Sequence, residues 1–166
     1  MTKLAIPSPV ITTIPIHGSD EVFPVRRVYC IGRNYADHVI EMGNDPKEDP
    51  IFFQKNPNNV DTSGEFPYPP ESKDVHHELE LVVALKSGGT KISEKDAYNH
   101  IYGFAVGLDM TRRDLQAIAK KGGKPWEVGK AFERSAPMGV ISKIETTGNM
   151  QFLQKQNNSK IVQGEF

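Results

Sequence analysis

The stretch His76-His77-Glu78-Leu79-Glu80-Leu81-Val82-Val83-Ala84-Leu85 constrains the fold more than any other part of the chain. It sets two carboxylates two residues apart at the start of an apolar run. Side chains alternate faces along a strand, so Glu78 and Glu80 point to the same side. Two like charges about 6 Å apart repel by roughly 3 kcal/mol at an effective dielectric near 20. The segment therefore admits two readings. Either the glutamates form a solvated strand end, or a divalent cation with oxygen ligands turns their repulsion into attraction.

A third carboxylate favours the cation. Tyr102-Gly103-Phe104-Ala105-Val106-Gly107-Leu108 reads as a second buried strand with Asp109 at its end. Thr111-Arg112-Arg113-Asp114 has the form of a capping box and predicts a helix through Lys121 that stops at Gly122-Gly123. Asp109 is then expected at a strand-to-helix junction, close enough to reach a cleft. Glu78, Glu80 and Asp109 offer three oxygen ligands, a set suited to Mg²⁺ or Mn²⁺ rather than to zinc, which favours His and Cys. An Asp before a helix is also an ordinary cap, so spacing alone leaves the convergence open.

The chain has 166 residues, one domain by length and enough to bury a core. Its formal net charge is −1, without the basic excess that nucleic acid or an anionic membrane would attract. No stretch approaches transmembrane length, and Pro7 and Pro9 interrupt the short Leu4-Ala5-Ile6 run. A single cysteine, Cys30, forbids an internal disulfide and fits a reducing compartment, the cytoplasm. Cys30 reads as a small buried hydrophobe.

Residues 1–22 are Pro- and Thr-rich and read as an N-terminal edge segment, with one domain over 23–166. Val28 to Ile31 and Ile51 to Gln54 read as strands, and Asn34 as the cap of a brief helix, Tyr35 to Met42, stopped by Gly43. Ser87-Gly88-Gly89 predicts a hairpin back toward Ile92, and Ser93-Glu94-Lys95-Asp96 a second capping box. Asn157-Asn158 looks like the turn of a further hairpin. Many short strands with three short helices predict a β-rich α+β fold.

Four motifs then agree, in order. Cys30-Ile31-Gly32-Arg33-Asn34-Tyr35-Ala36-Asp37-His38, His77-Glu78-Leu79-Glu80, Gly107-Leu108-Asp109-Met110-Thr111-Arg112-Arg113-Asp114-Leu115-Gln116 and Trp126-Glu127-Val128-Gly129-Lys130-Ala131-Phe132 resemble the fumarylacetoacetate hydrolase superfamily. The likeness runs from about Phe23 to Met138. Within the superfamily, Val25-Arg26-Arg27-Val28-Tyr29 and Val106 to Arg113 most resemble the fumarylpyruvate hydrolases, with acylpyruvases and oxaloacetate decarboxylases as neighbours.

The resemblance implies a mixed β-sandwich roll, a homodimer and Mg²⁺ (or Mn²⁺) on Glu78, Glu80 and Asp109. His38 and Glu41 share a helical face at i, i+3; a solvated pair has the same spacing, but the resemblance implies a catalytic dyad. It implies that Lys130, by position alone a solvated loop lysine, lies near the metal, and that Gln116, whose helical position also allows solvent exposure, bonds the substrate or a metal-bound water. It makes Arg33 and Lys55 carboxylate binders at cleft edges; Tyr35 either closes against the substrate or packs on the helix. Trp126 is expected to be a packing anchor. The implied reaction is hydrolysis of the carbon–carbon bond of an acylpyruvate, for fumarylpyruvate giving fumarate and pyruvate. Alternatives are decarboxylation or isomerisation of a 2-oxo acid on the same fold, or an inactive remnant. The resemblance also implies strands and a Gly-rich loop beyond Phe166, so a C-terminally incomplete and poorly soluble form is the expectation.

Overall fold

The computed structural model describes residues 3–32 and 50–144. Nine strands and three short helices occur among them, the β-rich composition that the patterning predicts. The centre is an antiparallel pair, β6 (Val75–Leu85) and β7 (Ile101–Arg112), with β9 (Ser142–Lys143) on the far side of β7. Two hairpins precede it. β1 (Thr13–Pro15) pairs with β2 (Val22–Pro24), across the expected boundary at residue 22, and β3 (Val28–Gly32) pairs with β4 (Ile51–Lys55). β5 (Val60–Asp61) lies parallel to β8 (Ala136–Pro137).

The core sits where these elements meet. Ile14, Ala84, Ala105 and Ile141 are buried together, with Phe23, Val25, Val82 and Tyr102 packed around them. Ile141 is fully buried, which contributes roughly 1.5–3 kcal/mol of apolar transfer. β9 approaches β7 at Gly103, where a Cβ would meet the Ser142 carbonyl oxygen at 2.3 Å. Only glycine fits there.

Three local expectations fail. Ser87-Gly88-Gly89 does not begin a strand hairpin: β6 turns back through residues 86–100, which hold α1 (Glu94–Ala97) and a 3-10 turn, and pairs with β7. Ile92 instead folds over Gly89, where a Cβ would clash with it at 2.7 Å. At Ser93 the hydroxyl bonds the Asp96 carboxylate rather than a backbone N–H. The third is the Thr111 capping box. β7 continues to Arg112, and α2 runs Arg113–Lys121 with no side-chain cap. Asp114 turns away to accept bonds from the Ser72 hydroxyl and the Lys73 N–H. Asp109 therefore lies inside a strand, not at a junction.

Arg134 ties the β5 loop to the segment before β8. Its Nε and Nη2 reach Asp61 Oδ2 and Ser63 Oγ, and Nη2 also bonds the Glu65 carbonyl at 2.8 Å. The Ser63 hydrogen bond, then the Arg134 guanidinium, hold the Asp61 carboxyl down at about 2. A carboxylate depressed in this way stabilises the fold above its ordinary pKa and loses that contribution as pH falls toward about 2. The melting temperature of wild-type protein should accordingly fall more steeply over that acid range than that of Asp61→Asn. Parallel acid limbs would show that the clamp contributes nothing to folding.

Candidate active site

β6 and β7 pair so that Glu78 stands directly opposite Asp109, and Glu80 opposite Gly107. Cross-strand partners share a face, and Glu80 lies two residues from Glu78, so all three carboxylates are on one side of the sheet. Lys130 reaches that side from the last turn of α3 (Glu127–Lys130). Helix α3 packs closely on α2: a Cβ at Gly129 would sit 2.9 Å from the Gln116 backbone nitrogen. That close approach carries Lys130 inward until 2% of it is exposed, far from a solvated loop lysine.

Lys130 Nζ donates to Glu78 Oε2 at 2.8 Å, Asp109 Oδ2 at 2.7 Å and Thr111 Oγ1 at 2.6 Å. An ammonium has three protons, so its donors are fully engaged by the protein. The Thr111 hydroxyl in turn donates a hydrogen bond to the Asp109 carbonyl at 3.3 Å. The other oxygen of Glu78 accepts from Arg113 Nη2, while Arg113 Nη1 bonds Gln116 Oε1 at 2.7 Å. Burial pushes the Glu78 carboxyl up, but the Lys130 charge and hydrogen bond, with Arg113 behind them, hold it below its ordinary value.

Lys55 closes the floor. It lies 2.9 Å from Asp109 Oδ1, a buried ion pair. Burial pushes the Lys55 ammonium down, opposed by Asp109. Lys55 is buried here rather than at the cleft edge that the resemblance implied. Cys30, half-buried on β3, has its thiol pushed up to about 11, by burial first and Asp109 second. Such a thiol is protonated and a poor nucleophile.

Gln116 is buried too, not solvent-exposed as its helical position allowed. Trp126 packs against Phe53 at 5.7 Å and under Lys120, as an anchor should. Of the flanking histidines, His76 shares the Glu78 face but bonds exposed Asp74. Arg33, Tyr35, His38 and Glu41 lie outside the described residues, as does the Asn157-Asn158 turn.

Whether these side chains suit a divalent cation can be asked of the donors themselves. All three are carboxylates, whose hard oxygens are the donors that such a cation takes. In kind the donors fit. As placed, no group of three or more His, Cys, Asp or Glu side chains among the described residues is gathered to hold a metal, because Glu78 and Asp109 close on Lys130 instead.

Residues 27–164 match the family described as fumarylacetoacetate (FAA) hydrolase, C-terminal. The chain belongs to this family. Its fold is that of a fumarylpyruvate hydrolase from Pseudomonas aeruginosa solved with Mn²⁺ and pyruvate: 47% identical, TM-score 0.85, covering 88% of this chain and 65% of that one. A mitochondrial oxaloacetate tautomerase of Caenorhabditis elegans is 42% identical over 74% of this chain and 58% of its own length. The Escherichia coli oxaloacetate tautomerase YcgM is 40% identical over 78% of this chain and 60% of its own. The chain thus spans about three fifths of the length of these curated relatives. Fumarylacetoacetate hydrolase family members are enzymes that act on small molecules, and a divalent metal accompanies one of them. No helix among the described residues is long and apolar enough to cross a membrane.

Proposed function

We propose that this chain carries the carboxylate and lysine cluster of a divalent-metal hydrolase that splits the carbon–carbon bond of an acylpyruvate, with fumarylpyruvate giving fumarate and pyruvate. One observation carries the reading: Glu78 and Asp109 stand opposite each other, on the same face as Glu80, with Lys130 fixed between them. Glu78, Glu80 and Asp109 would hold Mg²⁺ or Mn²⁺, which when bound supplies a Lewis acid and a template for a 2-oxo acid.

The chain's own groups do the rest. Lys130 spends its donors on the protein, so it acts through charge, steadying the carboxylates beside the place where negative charge develops. Arginine only donates, so Gln116 must turn its carbonyl to Arg113, leaving its amide as a donor for a substrate oxygen. His38, with Glu41 three residues on, takes the proton of the water that attacks the distal carbonyl. Arg33 is assigned to the substrate carboxylate, and Tyr35 to closing against the substrate. Lys55, being buried, is not.

A second reading, tautomerisation or decarboxylation of oxaloacetate, is favoured by the identity to two oxaloacetate tautomerases. It would use the same cluster to move a proton or release carbon dioxide, without attack by water. Incubating the protein with Mn²⁺ or Mg²⁺ and either fumarylpyruvate or oxaloacetate separates the two. Release of fumarate supports hydrolysis; faster enol–keto exchange or pyruvate formation from oxaloacetate alone transfers the assignment to the second reading. Metal uptake with neither reaction would sink both and leave a binding remnant.

Glu80→Gln should weaken Mg²⁺ binding, measured by calorimetry, by about tenfold or more, since a neutral amide is a poorer ligand for a hard cation. Equal affinity would remove Glu80 from the ligand set. The homodimer is part of the same proposal. Tyr29, Ile31 and Phe52 expose one apolar face of the β3–β4 hairpin, a surface of the kind assemblies cover. Sedimentation checks it. The cytoplasm is proposed on the lone Cys30.

A further inference from the structure

Lys55 ends β4 with 1% of its side chain exposed, and the mechanism above gives it no step. An ammonium taken out of water destabilises the fold unless its surroundings compensate. Three oxygens compensate this one. Nζ donates to the Met110 carbonyl at 3.1 Å and to the Lys130 carbonyl in a short contact, and lies 2.9 Å from Asp109 Oδ1. All three belong to the carboxylate cluster or to its immediate neighbour in the chain. They come from two elements, β7 and α3, which Lys55 joins from a third.

The other oxygen of Asp109 accepts from the Lys130 side chain. Lys55 thus holds Lys130 by its backbone and Asp109 by one oxygen, while Lys130 holds Asp109 by the other. That is a closed loop of contacts, with Glu78 attached to it through Lys130.

We propose that Lys55 is a positioning residue: it fixes Asp109 and the Lys130 backbone relative to each other, so that Glu78 and Asp109 are presented to a divalent cation at one spacing. The proposal rests on the reading that Glu78, Glu80 and Asp109 hold the metal. It opposes what charge alone dictates. A lysine that merely sat near the ligands would repel the metal, and removing it would tighten binding. A lysine that sets the ligand spacing does the reverse, because a metal site tolerates little displacement of its donors.

The test titrates Mn²⁺ into the full chain and into Lys55→Met, following free and bound Mn²⁺ by electron paramagnetic resonance, with melting temperatures on the same samples. Lys55→Gln, which keeps a donor for the two carbonyls but no charge, is measured alongside and decides the matter if the Met variant does not fold. The expected result is a Kd for Mn²⁺ raised at least tenfold, with a broadened bound-ion spectrum. Unchanged or tighter Mn²⁺ binding in a folded variant would overturn the proposal, even if that variant melts earlier, because a purely structural lysine moves stability alone. Wild-type protein that takes up no Mn²⁺ would overturn the metal reading, and the proposal with it.

Discussion

His38→Ala should lower turnover by a factor of ~10²–10⁴, the usual contribution of a positioned acid–base group. The expectation follows from the assignment of His38 and Glu41 as the pair that deprotonates water, which the His-x-x-Glu spacing and the likeness to the family support. A carboxylate beside an imidazole fixes its tautomer and raises its basicity. Glu41→Gln should therefore act in the same direction with a smaller loss. Mg²⁺ affinity should stay within about a factor of two in both variants, because neither residue is among the proposed ligands. Steady-state kinetics and calorimetry on the same preparations check the two halves together. Intact turnover in His38→Ala would exclude the hydrolytic mechanism as drawn, and would favour a reaction that needs no activated water.

Much of this site was legible in the chain because strand alternation is a strong signal. It put Glu78 and Glu80 on one face, and the apolar runs located β6 and β7 correctly. The pairing between those strands was not legible. The Gly-rich turn after Leu85 competed with the true partner, which begins only at Ile101, and without that register nothing set Asp109 opposite Glu78. The pattern at Thr111 matched a capping box, yet tertiary contacts overrode it. Carrying β7 to Arg112 lets the Thr111 hydroxyl meet Lys130 and the Arg113 N–H meet the Asp74 carbonyl. A capping box is a local rule, and those partners come from elsewhere in the chain. Alternation held the missed clue: Thr111 is two residues from Asp109 and shares its face. Burial of Lys55, Lys130 and Gln116 was equally hidden, since such residues are mostly exposed unless paired. Their partners are set by β7 and by the approach of α3 to α2, which single-residue preferences do not encode.

Lys130→Met should have the largest effect on the metal-free fold. Methionine keeps most of the side-chain volume but removes a cation that, among the described residues, bonds both Glu78 and Asp109. Breaking a buried ion pair by removing one partner is strongly destabilising, by about 3–5 kcal/mol, because a charge is left in a poorly solvating place. Arg113 still serves Glu78 and Lys55 still faces Asp109, so the lower end of that range applies. In a chain of this size it corresponds to a melting temperature roughly 10 °C lower. Saturating Mn²⁺ should raise the melting temperature of Lys130→Met more than that of wild type, since binding to the folded state stabilises it and the ion restores the missing positive charge. Turnover should remain low even then, because an ion held by the carboxylates does not replace the fixed charge of Lys130 beside the substrate. Thermal melts with and without Mn²⁺, followed by an assay on the metal-saturated samples, separate these effects. A metal-free Lys130→Met that melts with wild type would mean that the lysine is not what holds the two carboxylates together. A variant that regains full turnover with Mn²⁺ would confine Lys130 to a structural role.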